Sequence, residues 1–214
     1  IEDYEIVAAK GYFRSTTANL SALPYEQLKL NLEEFFNTYL SSKAKYNNEV
    51  VHAYVKALYA IKDKYYINND HTQARKFSHE LDNSTIALLD RTLKFNQGQN
   101  KLTEKIIESQ NRLFKLYADV ALTSEHLANL EKYLRYEQYN LNLLFALGKI
   151  AIKHEDYDKA FQYLNQAKKI EEQNKIVKSK LPIDNYFAFV LMKMGKQHES
   201  LNVFHNYFKA FQQA

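Results

Sequence analysis

The chain contains no cysteine. That absence removes disulfides, thiolate nucleophiles and cysteine-based metal sites together. It suits a reducing cytoplasm, the compartment expected here, and suits equally a periplasmic or other extracytoplasmic protein. Only four glycines and two prolines occur among 214 residues. These are too few to punctuate a β-sandwich or to supply the turns of an α/β enzyme, and a glycine-rich phosphate loop cannot be assembled from them. No apolar run approaches the roughly 20 residues of a membrane-spanning helix, and no signal peptide is visible. A chain opening on Ile1 rather than methionine is expected to follow an upstream portion carrying any targeting segment or further domain. Charge of one sign is scarce as well. The 29 basic residues exceed the 25 acidic ones by only +4, which argues against nucleic acid as the principal partner.

What is abundant is aromatic and periodic. Seventeen tyrosines and thirteen phenylalanines, with no tryptophan, make 14% of the chain aromatic and predict bulky packing with many amphipathic tips. Helical periodicity runs nearly throughout. "LPYEQLKLNLEEFFNTYLSS" has Pro24 at a first helical position and Leu28, Leu32, Phe35, Phe36, Tyr39 and Leu40 along one face. "NNEVVHAYVKALYAIKDKYY" repeats this through Val51, Tyr54, Val55, Leu58, Ile61 and Tyr65. "INND" breaks the pattern, and Asp70 with Gln73 forms a capping box for a helix that is long or kinked near Asp82–Ser84. "NQGQN" around Gly98 reads as a loop and places a boundary between residues 1–98, degenerate hairpins, and 99–214, better-formed ones. Ten or eleven helices, joined by short and therefore antiparallel connections, predict an all-α fold without strands.

The stretch "LLFALGKIAIKHEDYDKAFQYLNQAKKI", Leu143–Ile170, reads as two amphipathic helices around a tight polar turn. Gly148 lies in mid-helix, where glycine costs about 1 kcal/mol relative to alanine. Together with the small Ala160 and Ala167 it implies a close helix crossing, with Leu144, Leu147 and Leu164 filling the space beside it. On these residues the segment resembles a tetratricopeptide repeat, a helix–turn–helix unit of about 34 residues that stacks into solenoids. It departs from the pattern at Ala151, where an aromatic is usual, and at Glu172, where proline is usual. A second copy covers Leu181–Ala214, with Ala188 at the small crossing position, Ser200 opposite it, Gly195 in the turn, and Phe187, Leu191, Phe204 and Tyr207 as large partners. A weaker copy in the "ALYAIKDKYYINNDHTQARKFSHEL" segment has Lys62 in place of the small residue. The resemblance implies a right-handed array of antiparallel helical hairpins, a TPR-like α-solenoid.

Catalytic constellations are not apparent. His79-Glu80 lacks the second histidine of a zinc motif and reads as a surface or capping pair. His154, Glu155 and Asp156 fall in a hairpin turn, where such residues cap helices. Consecutive acids such as Glu33–Glu34 and Glu171–Glu172 point apart on a helix. No ordered set of nucleophile, base and orienting group appears. The expectation is a protein that is not an enzyme and that needs no metal or other cofactor.

In tetratricopeptide-like proteins, ligands lie along the concave face formed by the first helix of each hairpin. The resemblance therefore implies a partner-binding face of Asn142, Phe145, Lys149, Ile152 and Lys153, continued by Asn185, Tyr186, Phe189 and Lys193. Tyr59, Asp63 and Tyr66 are the corresponding positions of the weaker copy. Lysines and asparagines interleaved with aromatics suit a protein or peptide partner, although each aromatic can equally serve as packing. The implied function is a non-catalytic binding module, a scaffold or the sensory part of a larger protein. Peptide-responsive bacterial regulators, which join such repeats to a DNA-binding domain, are one architectural parallel. Two alternatives stay open: a helical domain that self-associates, and a nucleic-acid binder using Lys168, Lys169, Lys175, Lys178 and Lys180.

Overall fold

The computed structural model describes residues 3–21, 23–68, 71–97, 103–173 and 181–212. The Asp70 cap, the Gly98 loop with the boundary drawn there, and Lys175, Lys178 and Lys180 lie outside the described residues, as does the side chain of Tyr207. The described residues form twelve α-helices and no strand, so the chain is all-α as expected. They are α1 (Tyr4–Ala18), α2 (Tyr25–Glu34), α3 (Ser42–Lys45), α4 (Asn48–Asn68), α5 (His71–Gln97) and α6 (Glu104–Val120). After these come α7 (Ser124–Glu131), α8 (Leu134–Glu137), α9 (Leu141–Lys153), α10 (Tyr157–Gln173), α11 (Ile183–Lys193) and α12 (Gln197–Gln212). α3 and α8 are single turns of four residues each, which leaves ten longer helices to carry the periodicity. The chain divides into two compact units, Ile1–Leu116 and Tyr117–Ala214, and the division falls inside α6.

In the first unit, α4 is the central helix, packed against α1, α2 and α5. Its buried side includes Val51, Tyr54, Val55, Leu58, Ile61 and Tyr65, the residues picked out by periodicity. Aromatics supply the remaining volume. Phe13 is fully buried and meets Phe35, Phe36 and Tyr54 with ring centroids 5.1–6.5 Å apart. Tyr54 stacks on Phe36 at 4.2 Å, and Tyr65 on Phe77 at 4.3 Å. The single helical face expected through Tyr39 needs correction, because a π-helical turn at Phe35–Tyr39 follows α2. The wider turn shifts the register of side chains by part of a turn. Phe36 and Leu40 stay buried while Tyr39 is 67% exposed.

α5 runs without a break from His71 to Gln97. Asp82, where a kink was one of two expectations, is buried; it accepts hydrogen bonds from Tyr59 Oη and, at 2.8 Å, from Lys62 Nζ. Its polarity is satisfied across the hairpin, so the helix need not open to satisfy it. A second buried polar chain links three helices. Asn96 donates to Asn48, Asn48 donates to Ser109 Oγ at 3.1 Å, and Ser109 donates to the Ile106 carbonyl at 2.9 Å.

The second unit is built around the α9–α10 hairpin, whose interior residues Leu143, Leu144, Leu147, Ile150, Ala151, Ala160, Leu164 and Ala167 are buried. Gly148 is required by what lies over it. A Cβ there would sit 2.8 Å from both Cγ and Cδ2 of Leu164, well inside van der Waals contact. The small residue expected at this crossing thus faces Leu164. In the α11–α12 hairpin the corresponding contact is polar, with Ser200 Oγ donating to the Ala188 carbonyl at 2.8 Å and both residues buried.

The two hairpins turn in the same way. Glu155 (φ 57°) and Gly195 (φ 76°) both adopt the left-handed conformation. The following N–H groups reach back to the last helical turn, Asp156 to the Ala151 carbonyl at 3.0 Å and Lys196 to that of Leu191 at 2.9 Å. This bonding closes each helix by satisfying carbonyls that would otherwise lack partners. Asp156 then opens α10, its Oδ1 accepting the Lys159 N–H at 3.1 Å. The cluster His154, Glu155 and Asp156 is therefore the hairpin turn.

Candidate functional site

The residues expected to form a partner-binding face sit on α9 and α11, whose contact brings the two sets together. Asn140 caps α9 through its side chain, accepting from the N–H groups of Asn142 and Leu143 at 2.9 and 3.1 Å. Asn142 is consequently fixed in the first turn and half-buried. One turn on, Phe145 is only 7% exposed and meets the Tyr186 ring edge-on, with centroids 5.1 Å apart. That contact joins α9 to α11 and leaves Tyr186 half-buried. Phe145 therefore serves the packing of the two helices, the role open to each aromatic. Asn185 and Phe189 are half-buried on α11, and the exposed Lys193 places its ammonium 5.6 Å from the Phe189 ring centre. Ile152 is half-buried on α9.

Lys149 and Lys153 are engaged within the unit. Lys149 Nζ pairs with Asp119 at 2.7 Å. Lys153 Nζ donates to the carbonyls of Ala118, at 2.5 Å, and Asp119, at 2.8 Å, with the Ala121 carbonyl 3.5 Å away. These carbonyls lie at and just beyond the C-terminal end of α6, where backbone groups lack helical partners and the helix dipole favours a cation. The two lysines thus hold α9 against the end of α6. Periodicity could not reveal this, since Asp119 is one exposed acid among many until the fold places it opposite Lys149.

A second set of links fastens α10. Glu131 on α7 accepts from Lys159 at 2.8 Å and from the Tyr163 hydroxyl. Burial acts to raise the Glu131 pKa, but the hydrogen bonds from Lys159 and Tyr163 outweigh it and hold the carboxyl below its ordinary value. Burial, followed by the same hydrogen bond, pushes Tyr163 well above a normal phenol. Lys168 pairs with Asp184 and lies 5.6 Å from the Phe187 ring centre, so this lysine joins α10 to α11.

In the weaker copy, Tyr59 donates to Asp82, Asp63 is exposed, and the exposed Tyr66 hydroxyl lies 3.0 Å from His71 Nδ1. His79 is exposed, with Nε2 3.1 Å from the Asn83 amide nitrogen. Among the described residues no group of three or more His, Asp or Glu side chains is arranged to hold a metal ion. No described helix is long and apolar enough to cross a membrane.

No family model matches the chain, and no curated protein matches it. Solved structures of MamA do. MamA AMB-1 in its P212121 crystal form aligns over 99% of this chain and 100% of its own, with 16% identity and a TM-score of 0.53. MamA MSR-1 in form C2 aligns over 95% and 97% at 16% identity with a TM-score of 0.45. MamA AMB-1 in form C2221 aligns over 95% and 96% at 18% identity with a TM-score of 0.44. At these identities the likeness is one of fold, and the first alignment supports it. The likeness shows the fold alone, which is all-α and built of helical hairpins.

Proposed function

We propose that this chain is a non-catalytic protein- or peptide-binding module, a scaffold or sensory part of a larger protein, that takes its partner along the α9–α11 face. The observation carrying this reading is the accessible set Asn142, Asn185, Tyr186, Phe189 and Lys193. It combines amide groups suited to a peptide backbone, aromatic faces suited to apolar side chains, and a cation suited to a carboxylate. Phe145, Lys149 and Lys153 support this face by fixing α9 against its neighbours. A fold of stacked helical hairpins agrees with a binding role.

The test is a pull-down with the whole chain and with Asn185→Ala/Phe189→Ala/Lys193→Ala, followed by mass spectrometry. Proteins retrieved by the parent should be lost from the triple variant while its circular dichroism spectrum stays unchanged. Equal recovery by both would count against this face.

One feature favours self-association as a second reading. On α11 and α12, Met192, Leu201 and Phe208 are 49%, 64% and 60% exposed, apolar surface that a second copy of the chain would cover. Light scattering over a wide concentration range separates the two readings, since a self-assembling module would not stay monomeric at high concentration.

A further inference from the structure

The first unit contains a cationic recess that the α9–α11 reading does not use. It is about 310 Å3 in volume and is lined by Arg14 and Thr17 of α1, Glu49, His52 and Lys56 of α4, and Arg112 of α6. Arg14 and Lys56 are exposed, and neither makes an ion pair with another described residue. Arg112 pairs with Glu108 at 2.8 Å, but both side chains are more than half exposed, at 54% and 68%, so that pair is readily exchanged. Glu49 is the one acid among the described lining residues. It is already occupied, pairing with Lys10 and lying 3.7 Å from Lys105. The recess therefore presents three permanent cations against one carboxylate, Glu49, which is shared with Lys10 and Lys105 outside the lining.

His52 is the half-buried member of this group. Burial first, and then the fields of Lys56, Arg112, Arg14 and Lys115, hold its pKa below the ordinary value. The charged groups around its ring are thus Arg14 from α1, Glu49 and Lys56 from α4, and Arg112 and Lys115 from α6. Four cations close enough to disfavour a fifth are a costly arrangement for a surface that stays empty of anions.

The donor set indicates which anion relieves that cost. Two guanidinium groups, one ammonium and an imidazole line a single recess from three helices, enough donors for several oxygens of one tetrahedral dianion. A lone carboxylate would satisfy one fork and leave the others unanswered. A nucleic-acid backbone would need a track of cations, whereas these meet at a single recess. We propose that the recess binds a phosphate monoester, its phosphoryl group held by Arg14, Lys56 and Arg112 with His52 beside it. The volume admits the phosphoryl group together with part of the group that carries it. A bound dianion offsets part of the cationic field at His52, so binding favours uptake of a proton there. Affinity for a permanent dianion such as sulfate should then rise as pH falls through the histidine range. Affinity for a phosphate ester should pass through a maximum, because the ester becomes a monoanion below about pH 6.

The test uses the whole chain and follows the His52 ring signals by NMR, assigned with His52→Asn. Phenyl phosphate should shift those signals saturably, and Arg14→Gln/Lys56→Gln should weaken it by at least about tenfold, the loss of two charge-assisted hydrogen bonds. Both residues are exposed and their removal relieves like-charge repulsion, so the thermal midpoint of the double variant should not fall below the parent's. His52→Asn should bind sulfate like the parent near pH 8 and lack the several-fold gain toward about pH 5. A phosphoserine hexapeptide forms the second arm. Tighter binding than phenyl phosphate indicates a modified side chain as the natural source, and equal or weaker binding indicates a free ester. The proposal is overturned if neither ester shifts His52. It is overturned equally if the double variant binds as well as the parent, or if a short oligonucleotide binds with steep salt dependence while the esters do not.

Discussion

Two hairpins of this chain solve the same packing problem with opposite chemistry. In α9–α10 the helices approach closely because Gly148 leaves room for Leu164, with Ala160 and Ala167 fully buried in the same hairpin. In α4–α5 the place of the small residue is taken by Lys62, and the space between helices is filled by a latch, with Tyr59 and Lys62 both donating to the buried Asp82. Stacked rings such as Tyr65 on Phe77 complete that interface. The first arrangement depends on close steric fit and the second on complete hydrogen bonding, and each carries its own penalty when disturbed. Repeat signatures in sequence record the first arrangement only. A hairpin held apart by a polar latch keeps the architecture and loses the signature.

Four sets of substitutions test this contrast. The largest effect is expected for Asp82→Ala, which leaves Lys62 and Tyr59 without their acceptor inside the first unit. The ion pair is largely buried, with side-chain exposures of 20% and 12%, and its loss should cost about 2–3 kcal/mol in urea unfolding. Asp82→Asn, which still accepts from Tyr59, should recover part of that. A loss below about 0.5 kcal/mol for the alanine variant would show that the latch is incidental.

Next comes Gly148→Ala. The gain in helix propensity of about 1 kcal/mol is opposed by the clash with the fully buried Leu164, where overpacking costs about 1–3 kcal/mol. A net destabilisation of about 1 kcal/mol is expected. The same change should become stabilising when combined with Leu164→Ala, and a double-mutant cycle measures this coupling directly. Additivity of the two changes would mean that Gly148 is not held small by Leu164.

The paired turns predict changes of opposite sign. Gly195→Ala forces a side chain into the left-handed region and should lower stability by about 1 kcal/mol. Glu155→Gly relieves the same strain and should raise it by a few tenths of a kcal/mol. Thermal midpoints of the two variants should therefore move in opposite directions.

The last effect is one of pH. The Glu131 pKa is lower in the folded protein than its ordinary value, so its contribution is present above the unfolded pKa and is lost as pH falls through the folded one. Glu131→Gln should be less stable than the parent at neutral pH by about 0.5–1 kcal/mol, allowing for partial exposure of the pair. The two proteins should converge once the pH has fallen below the folded-state pKa of Glu131. A constant difference across an acid titration would remove the ionic role assigned to Glu131.

The Gly195 turn and the close crossing are legible because each calls for a particular residue type. Gly195 stands where the chain turns left-handed, and Gly148 where Leu164 leaves no space. The π-helical turn was not legible. "FFNTYL" satisfies a helical stripe on paper, and one widened turn is enough to carry Tyr39 into solvent. Of the expected face, Asn142, Asn185, Tyr186, Phe189 and Lys193 keep accessible surface, while Phe145 is buried and Lys149 and Lys153 are tied to the end of α6. Lysines spaced along a helix look alike in sequence whether they meet a ligand or a neighbouring carbonyl.

Composition and periodicity alone establish an all-α chain of short-looped hairpins, because the 3.6-residue period and the scarcity of glycine and proline are local properties. Which charges are spent inside the molecule is not local. Asp119 meets Lys149, Asp82 meets Lys62, and Arg14, Lys56 and Arg112 converge around His52 only once distant helices are packed. Electrostatic interaction falls with distance and depends on burial, and the tertiary structure sets both.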